Sequence, residues 1–120
     1  MKSILITGTS NGIGREAAIL LARNDWKVAA TMRSKENLSM FKETENISTY
    51  ILDVKDKDSI KSCIKQVIYD FGKIDVIVNN AGVYATDPLE LVSDKAIEDI
   101  VETNIKGYIY ATKVILEHFR

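Results

Sequence analysis

The chain has 120 residues, room for one domain around one hydrophobic core. Its 16 basic and 17 acidic side chains nearly cancel to a net charge of −1, so nothing draws it to nucleic acid or to an anionic membrane. No apolar run approaches the roughly 20 residues that span a bilayer, and the lone Cys63 excludes a disulfide framework or a thiolate metal cluster. The N-terminus enters a strand at once, without the layout of a signal peptide, which points to a cytoplasmic protein. In that setting the Asn-x-Ser matches at Asn37 and Asn46 are coincidental.

Residues 4–7 are apolar and β-rich, and they lead into a turn with three glycines, Gly8, Gly12 and Gly14. A helix follows through Ala22, with Ile13, Ala17, Leu20 and Leu21 as its apolar stripe. Strand, tight turn and helix in that order form a phosphate-binding device: the first helical turn offers unpaired N–H groups at the positive end of the helix dipole. A phosphate-loop NTPase is excluded, because no Gly-Lys-Ser/Thr follows at the required spacing. Residues 27–31 predict a second buried strand, and Ser34 a cap for a short helix to about Lys42. Residues 47–52 predict a third strand, ending on Asp53-Val54. Asp56 or Asp58 then caps a helix whose stripe includes Ile60, Cys63, Ile64, Val67, Ile68 and Phe71, which makes Cys63 a packed thiol, and Gly72 stops it.

Residues 74–78 predict a fourth strand, apolar without alternation and therefore covered on both faces, which ends in Asn79-Asn80-Ala81-Gly82. Ser93 caps a long helix over 94–119, with a bend near Thr103. Its buried side is predicted to run through Ile97, Ile100, Val101, Ile105, Tyr108, Thr112, Ile115 and Phe119, with Asn104 on the same stripe. A β-α-β-α-β-α-β-α order argues a parallel sheet with helices on both faces. Ligands of such sheets bind beyond the carboxyl ends of the strands, which is where Gly8–Gly14, Met32-Arg33, Asp53-Val54 and Asn79–Gly82 all fall.

With those residues in view, the chain resembles the short-chain dehydrogenase/reductase family. Thr7-Gly8-Thr9-Ser10-Asn11-Gly12-Ile13-Gly14 resembles its Thr-Gly-x-x-x-Gly-x-Gly cofactor turn, and Asp53-Val54 the pair that meets the adenine ring. Asn79-Asn80-Ala81-Gly82 is similar to its Asn-Asn-Ala-Gly signature, and Thr103-Asn104-Ile105-Lys106-Gly107 to the segment that carries the catalytic-tetrad asparagine. The resemblance covers essentially the whole chain. It implies the first half of a Rossmann-type doubly wound α/β fold, about four parallel strands in the order 3-2-1-4. It implies cofactor contacts at Gly8, Ser10, Asn11, Gly12, Ile13, Gly14, Arg33, Asp53, Val54, Asn80, Ala81 and Gly82. For Asn104 it implies a catalytic role, an amide that helps to hold a water in the proton relay. Read without the family, Asn104 is a buried amide bonded to a neighbouring carbonyl.

The end of the second strand points to NADP, with NAD the less favoured cofactor. An NAD site wants a carboxylate there for the ribose 2′-hydroxyl; this chain has Met32 and then Arg33, which suits a 2′-phosphate. The expected activity is an oxidoreductase moving a hydride between the nicotinamide and a small carbonyl or alcohol. The family's serine and Tyr-x-x-x-Lys have no counterpart here. Tyr69 to Lys73 has the spacing but lies before the fourth strand with Gly72 inside it, and Tyr110 and Lys113 are one residue too close. His118, near a helix C-terminus, reads as a surface imidazole. The segment is therefore expected to be inactive alone. Three readings stay open: a truncated product, one part of a split enzyme, or a self-contained NADP-binding or sensing module. The last helix resembles one that pairs between subunits in the family, which implies a homo-oligomer.

Overall fold

A computed structural model describes the whole chain, Met1–Arg120. Four strands, β1 (Ser3–Ile6), β2 (Lys27–Met32), β3 (Ile47–Ile51) and β4 (Val76–Val78), pair in parallel in the order β3-β2-β1-β4, as expected. Helix α1 (Gly12–Arg23) covers one face of the sheet, and α2 (Lys57–Phe71) and α4 (Gly107–Phe119) cover the other. The period-2 pleat sorts the strand residues between two cores. Leu5 and Ala29 pack with Ile60, Ile64, Val67 and Ile115, whereas Ile4, Ile6, Val28 and Ala30 pack with Ala18 and Ala22. Central β1 is buried throughout, which accounts for its unbroken apolar run.

Helix α2 starts on Asp56, whose carboxylate accepts the N–H groups of Asp58 and Ser59, and it stops at Gly72 with φ 84°. Cys63 is buried as predicted, and burial pushes its thiol from the usual 9.0 up to about 12. A raised acid pKa means that the folded state favours the neutral thiol. Its stabilising contribution is therefore complete below about pH 9 and is lost as pH climbs toward 12. Thiol labelling at pH 8 is expected to be negligible in buffer and complete in denaturant; fast labelling of the native chain would contradict this packing.

Four expectations need correction. First, the Ser34 helix is only a 3₁₀ turn, Lys35–Asn37. The Ser34 hydroxyl bonds the Glu36 side chain instead of capping the backbone, and Phe41 plugs into the core from irregular chain. Second, α1 buries Gly14, Ala18 and Ala22, leaving Ile13 82% and Leu20 63% exposed. The small side chains let the helix lie close on the sheet, and closeness outweighs the larger apolar area of the predicted stripe.

Third, the last helix is split. Helix α3 (Asp94–Val101) runs into a π-helical turn, Glu102–Lys106, before α4. The turn is the bend expected near Thr103. Its extra residue shifts the helical phase, so Thr103, Gly107, Ala111 and Ile115 face inward. Ile97, Val101, Ile105 and Phe119 of the predicted stripe are exposed instead. His118 also departs from its surface role: Nε2 accepts the Ile74 N–H at 3.0 Å and ties the end of α4 to the approach to β4.

Candidate functional site

Four loops at the carboxyl ends of the strands close around a cavity of about 540 Å³. The first is the glycine turn after β1. Gly8 has φ 72°, and a Cβ there would stand 2.7 Å from Ala81 Cα, so the turn and the loop after β4 touch backbone to backbone. At Gly14 a Cβ would collide with the Gly8 carbonyl oxygen and with Asn80 Nδ2. Helix start, turn and β4 loop are thus packed closely together, with the Asn80 side chain at their junction. The N–H groups of Gly12, Ile13 and Gly14 take no backbone partner, and Asn11 at the N-cap supplies no side-chain acceptor. Three donors and a helix dipole are left beside the cavity, whose lining includes Ser10, Asn11 and Ile13.

Buried hydroxyls hold this arrangement. Thr7 Oγ1 accepts the N–H groups of Asn80 (3.0 Å) and Ala81 (2.9 Å). Asn80 Nδ2 returns two bonds, to the carbonyls of Thr7 (3.1 Å) and Gly8 (3.0 Å). Thr9 donates to the Thr31 carbonyl, and Thr31 to the Ile6 carbonyl, both at 3.0 Å, which fastens the turn to the end of β2. The sequence alone does not mark Thr7 for this role. The signal was a hydroxyl at the end of an apolar strand, directly before the first glycine.

At the end of β2, Met32 is buried, and Arg33 is exposed at the rim in no ion pair. After β3, Leu52 and Val54 give the cavity an apolar wall. Asp53 Oδ1 is engaged by the Lys55 N–H at 3.0 Å. Gly107 of α4 sits directly against Val54: an added Cβ would stand 2.8 Å from Val54 Cγ2. On the far side Asn104, inside the π turn, pairs with the Val83 backbone. Its Oδ1 accepts the Val83 N–H at 3.0 Å, and its Nδ2 donates to the Val83 carbonyl at 2.7 Å.

Residues 2–120 match the family described as short chain dehydrogenase. The chain belongs to the short-chain dehydrogenases. It is 35% identical over 122 residues to 3-oxoacyl-(acyl-carrier-protein) reductase FabG of Thermotoga maritima, covering 98% of this chain and 50% of that protein. It is 37% identical over 112 residues to the FabG of Staphylococcus aureus strain Mu50, covering 88% and 46%. Among solved structures, ElxO with NADP bound superposes with a TM-score of 0.89 at 35% identity, covering 98% of this chain and 50% of that one. A 3-ketoacyl-(acyl-carrier-protein) reductase from Brucella melitensis complexed with NADH superposes at 0.92 with 27% identity and the same coverage. The chain spans about half the length of the curated relatives it matches.

In this short-chain dehydrogenase, Gly8, Ser10, Asn11, Ile13, Arg33, Asp53, Val54, Asn80, Ala81, Gly82 and Asn104 all line the one cavity, as their positions in the sequence suggested. Gly12 and Gly14 are not in its lining; Gly14 acts from behind, by close packing. Met32, Leu52, Val83, Tyr84 and Thr103 complete the walls. Of these, Val83 and Tyr84 lie in a loop without periodicity, and Thr103 faces inward only because of the π turn. Of the Tyr69 to Lys73 spacing match, Tyr69 is exposed at the end of α2 and Lys73 pairs with Asp75, and neither lines the cavity.

Proposed function

We propose that this chain supplies the cofactor half of an NADP-dependent oxidoreductase, which moves a hydride between the nicotinamide and a carbonyl or alcohol substrate. The observation that carries the reading is the start of α1: three N–H groups without backbone partners at a helix N-terminus, against a glycine turn that a Cβ would fill. That donor set fits a diphosphate. The apolar wall of Leu52 and Val54, with Asp53 beside it, fits an adenine ring. The named relatives that reduce 3-oxoacyl groups, and ElxO with its NADP, support the same assignment.

When bound, the cofactor supplies the hydride chemistry. The residues of this chain bind and orient it: Gly8 to Gly14 at the diphosphate, Arg33 at the 2′-phosphate, and Asn80 to Gly82 along the ribose side. Both polar atoms of the Asn104 carboxamide are taken by Val83, so in this reading the side chain serves by fixing the 80–83 rim and does not itself hold a relay water. A cytoplasmic setting and self-association through the last helix belong to the same reading. The 120 residues alone are expected to bind without turnover, since no serine or Tyr-x-x-x-Lys stands at a matching position.

Arg33 gives the direct test. It is free of acidic partners, so a charge-assisted bond to a 2′-phosphate contributes about 1.5–3 kcal/mol, a preference of roughly tenfold to a hundredfold. Calorimetric titration is expected to show that preference for NADPH over NADH, and Arg33→Leu to collapse it. Equal wild-type affinities, or a ratio that survives the substitution, would overturn the assignment.

A further inference from the structure

Thr103 stands in the wall of the cofactor cavity, inside the π turn between α3 and α4, and is 6% exposed. The other four buried hydroxyls of the chain are all engaged. Ser3 donates to the Lys73 carbonyl, Thr9 to the Thr31 carbonyl and Thr31 to the Ile6 carbonyl, while Thr7 accepts from Asn80 and Ala81. The Thr103 hydroxyl has no partner in the protein, not even the carbonyl one turn back that helical hydroxyls commonly use. The one fully enclosed side-chain polar atom without a partner is Asn79 Oδ1. The Thr103 hydroxyl is therefore not enclosed, and it opens on the cavity that it lines. Valine would fill the same space without the penalty of a buried hydroxyl left unpaired.

Its place in the cavity follows from the turn. Thr103 and Gly107 lie four apart and both face inward. Gly107 is pressed against Val54, where an added Cβ would stand 2.8 Å from Cγ2. Thr103 is thus on the Val54 side of the cavity, one turn nearer the carboxyl edge of the sheet. Asn104, the next residue, is committed elsewhere, with both amide atoms on Val83. A flat ring lying on the wall of Leu52 and Val54 presents its edge to the Thr103 hydroxyl. One neutral group that can donate or accept suits the edge of a heteroaromatic ring. Phosphates have better partners in the α1 N–H groups and in Arg33, the only cation of the lining.

We infer that the Thr103 hydroxyl bonds the polar edge of the six-membered ring of the cofactor's adenine. That bond lets the slot distinguish adenine from an apolar ring of the same shape. It rests on the NADP reading of the cavity and adds a contact outside the four rim segments.

Calorimetric titration of the chain tests this with three probes: NADPH, adenosine 2′,5′-bisphosphate, and the 2′,5′-bisphosphate of benzimidazole riboside, whose six-membered ring carries no polar atom. Thr103→Val keeps the side-chain shape and removes the hydroxyl. It is expected to weaken NADPH and the adenosine bisphosphate by the same factor, about three- to tenfold, and to leave the benzimidazole analogue unchanged. Thr103→Ser is expected to retain the preference for adenosine over benzimidazole. The melting temperature of the valine variant is expected not to fall, because no bond within the protein is lost. A lower melting temperature with all three probes weakened alike would assign the hydroxyl to the fold and overturn the inference. So would a valine variant that binds every probe as wild type does, or an equal loss for the benzimidazole analogue, which would move the bond to the ribose. A loss confined to NADPH would place Thr103 at the nicotinamide end, against the inference. If wild type binds none of the probes, the NADP reading falls and takes this contact with it, whereas binding without any effect of Thr103→Val removes the contact alone.

Discussion

Gly14→Ala is expected to remove NADPH binding and to lower stability, against the direction that helix propensity alone would give. Alanine gains up to about 1 kcal/mol over glycine within a helix, so an ordinary helical position would be strengthened. Here the new methyl would meet the Gly8 carbonyl and Asn80 Nδ2 with no room to spare. Neither contact is the loose end of a flexible chain: one is backbone, and the other is pinned by bonds to the Thr7 and Gly8 carbonyls. Overpacking of this kind costs about 1–3 kcal/mol, enough to reverse the gain. To relieve the contact, α1 must move away from the turn and carry its free N–H groups with it. Losing two charge-assisted bonds of about 1.5–3 kcal/mol each amounts to more than a hundredfold in affinity. Thermal melts and NADPH titration check both effects. A stabilised variant that keeps wild-type affinity would show that the turn is only a turn.

How far the sequence could be read follows from which property each position depends on. Strand order and the four rim segments were legible because apolar runs, turn residues and βα alternation are local signals, and the parallel topology then places every loop on one edge. The buried sides of α1 and the last helix were not. In α1 the choice between Ile13/Leu20 and Gly14/Ala18 turns on how closely the helix approaches the sheet, which side-chain volume alone does not show. In the last helix the π turn at Glu102–Lys106 changes the phase, and an added residue per turn leaves no mark on composition. Most residues lining the cavity were legible, whereas its internal bracing by Thr7, Thr9 and Thr31 was not, because threonine at a strand end is also ordinary chain. His118 is a similar case: its bond to the Ile74 N–H joins residues 44 positions apart.

That bracing yields the second large effect. Thr7 is fully buried, and its hydroxyl oxygen is the acceptor for two successive N–H groups, of Asn80 and Ala81. Valine has nearly the same shape, so Thr7→Val leaves no cavity and isolates the hydrogen bonds. Each donor left without a partner costs about 1–3 kcal/mol, so the loss is expected to be about 2–6 kcal/mol, a large share of a domain's stability. Thr7→Ser keeps the acceptor and gives up one methyl, about 0.8 kcal/mol. Chemical denaturation should therefore rank wild type, serine and valine in that order, with the wide gap before valine. Because Asn80 Nδ2 bonds the Thr7 and Gly8 carbonyls, its removal by Asn80→Ala acts on the same junction, and the two substitutions should not add. A coupling of about 1 kcal/mol or more in the double-mutant cycle is the expected result. If valine and serine were equally stable, or the cycle additive, the joint between β1 and the β4 loop would rest on packing, and the glycine turn would need another explanation for its fixed position.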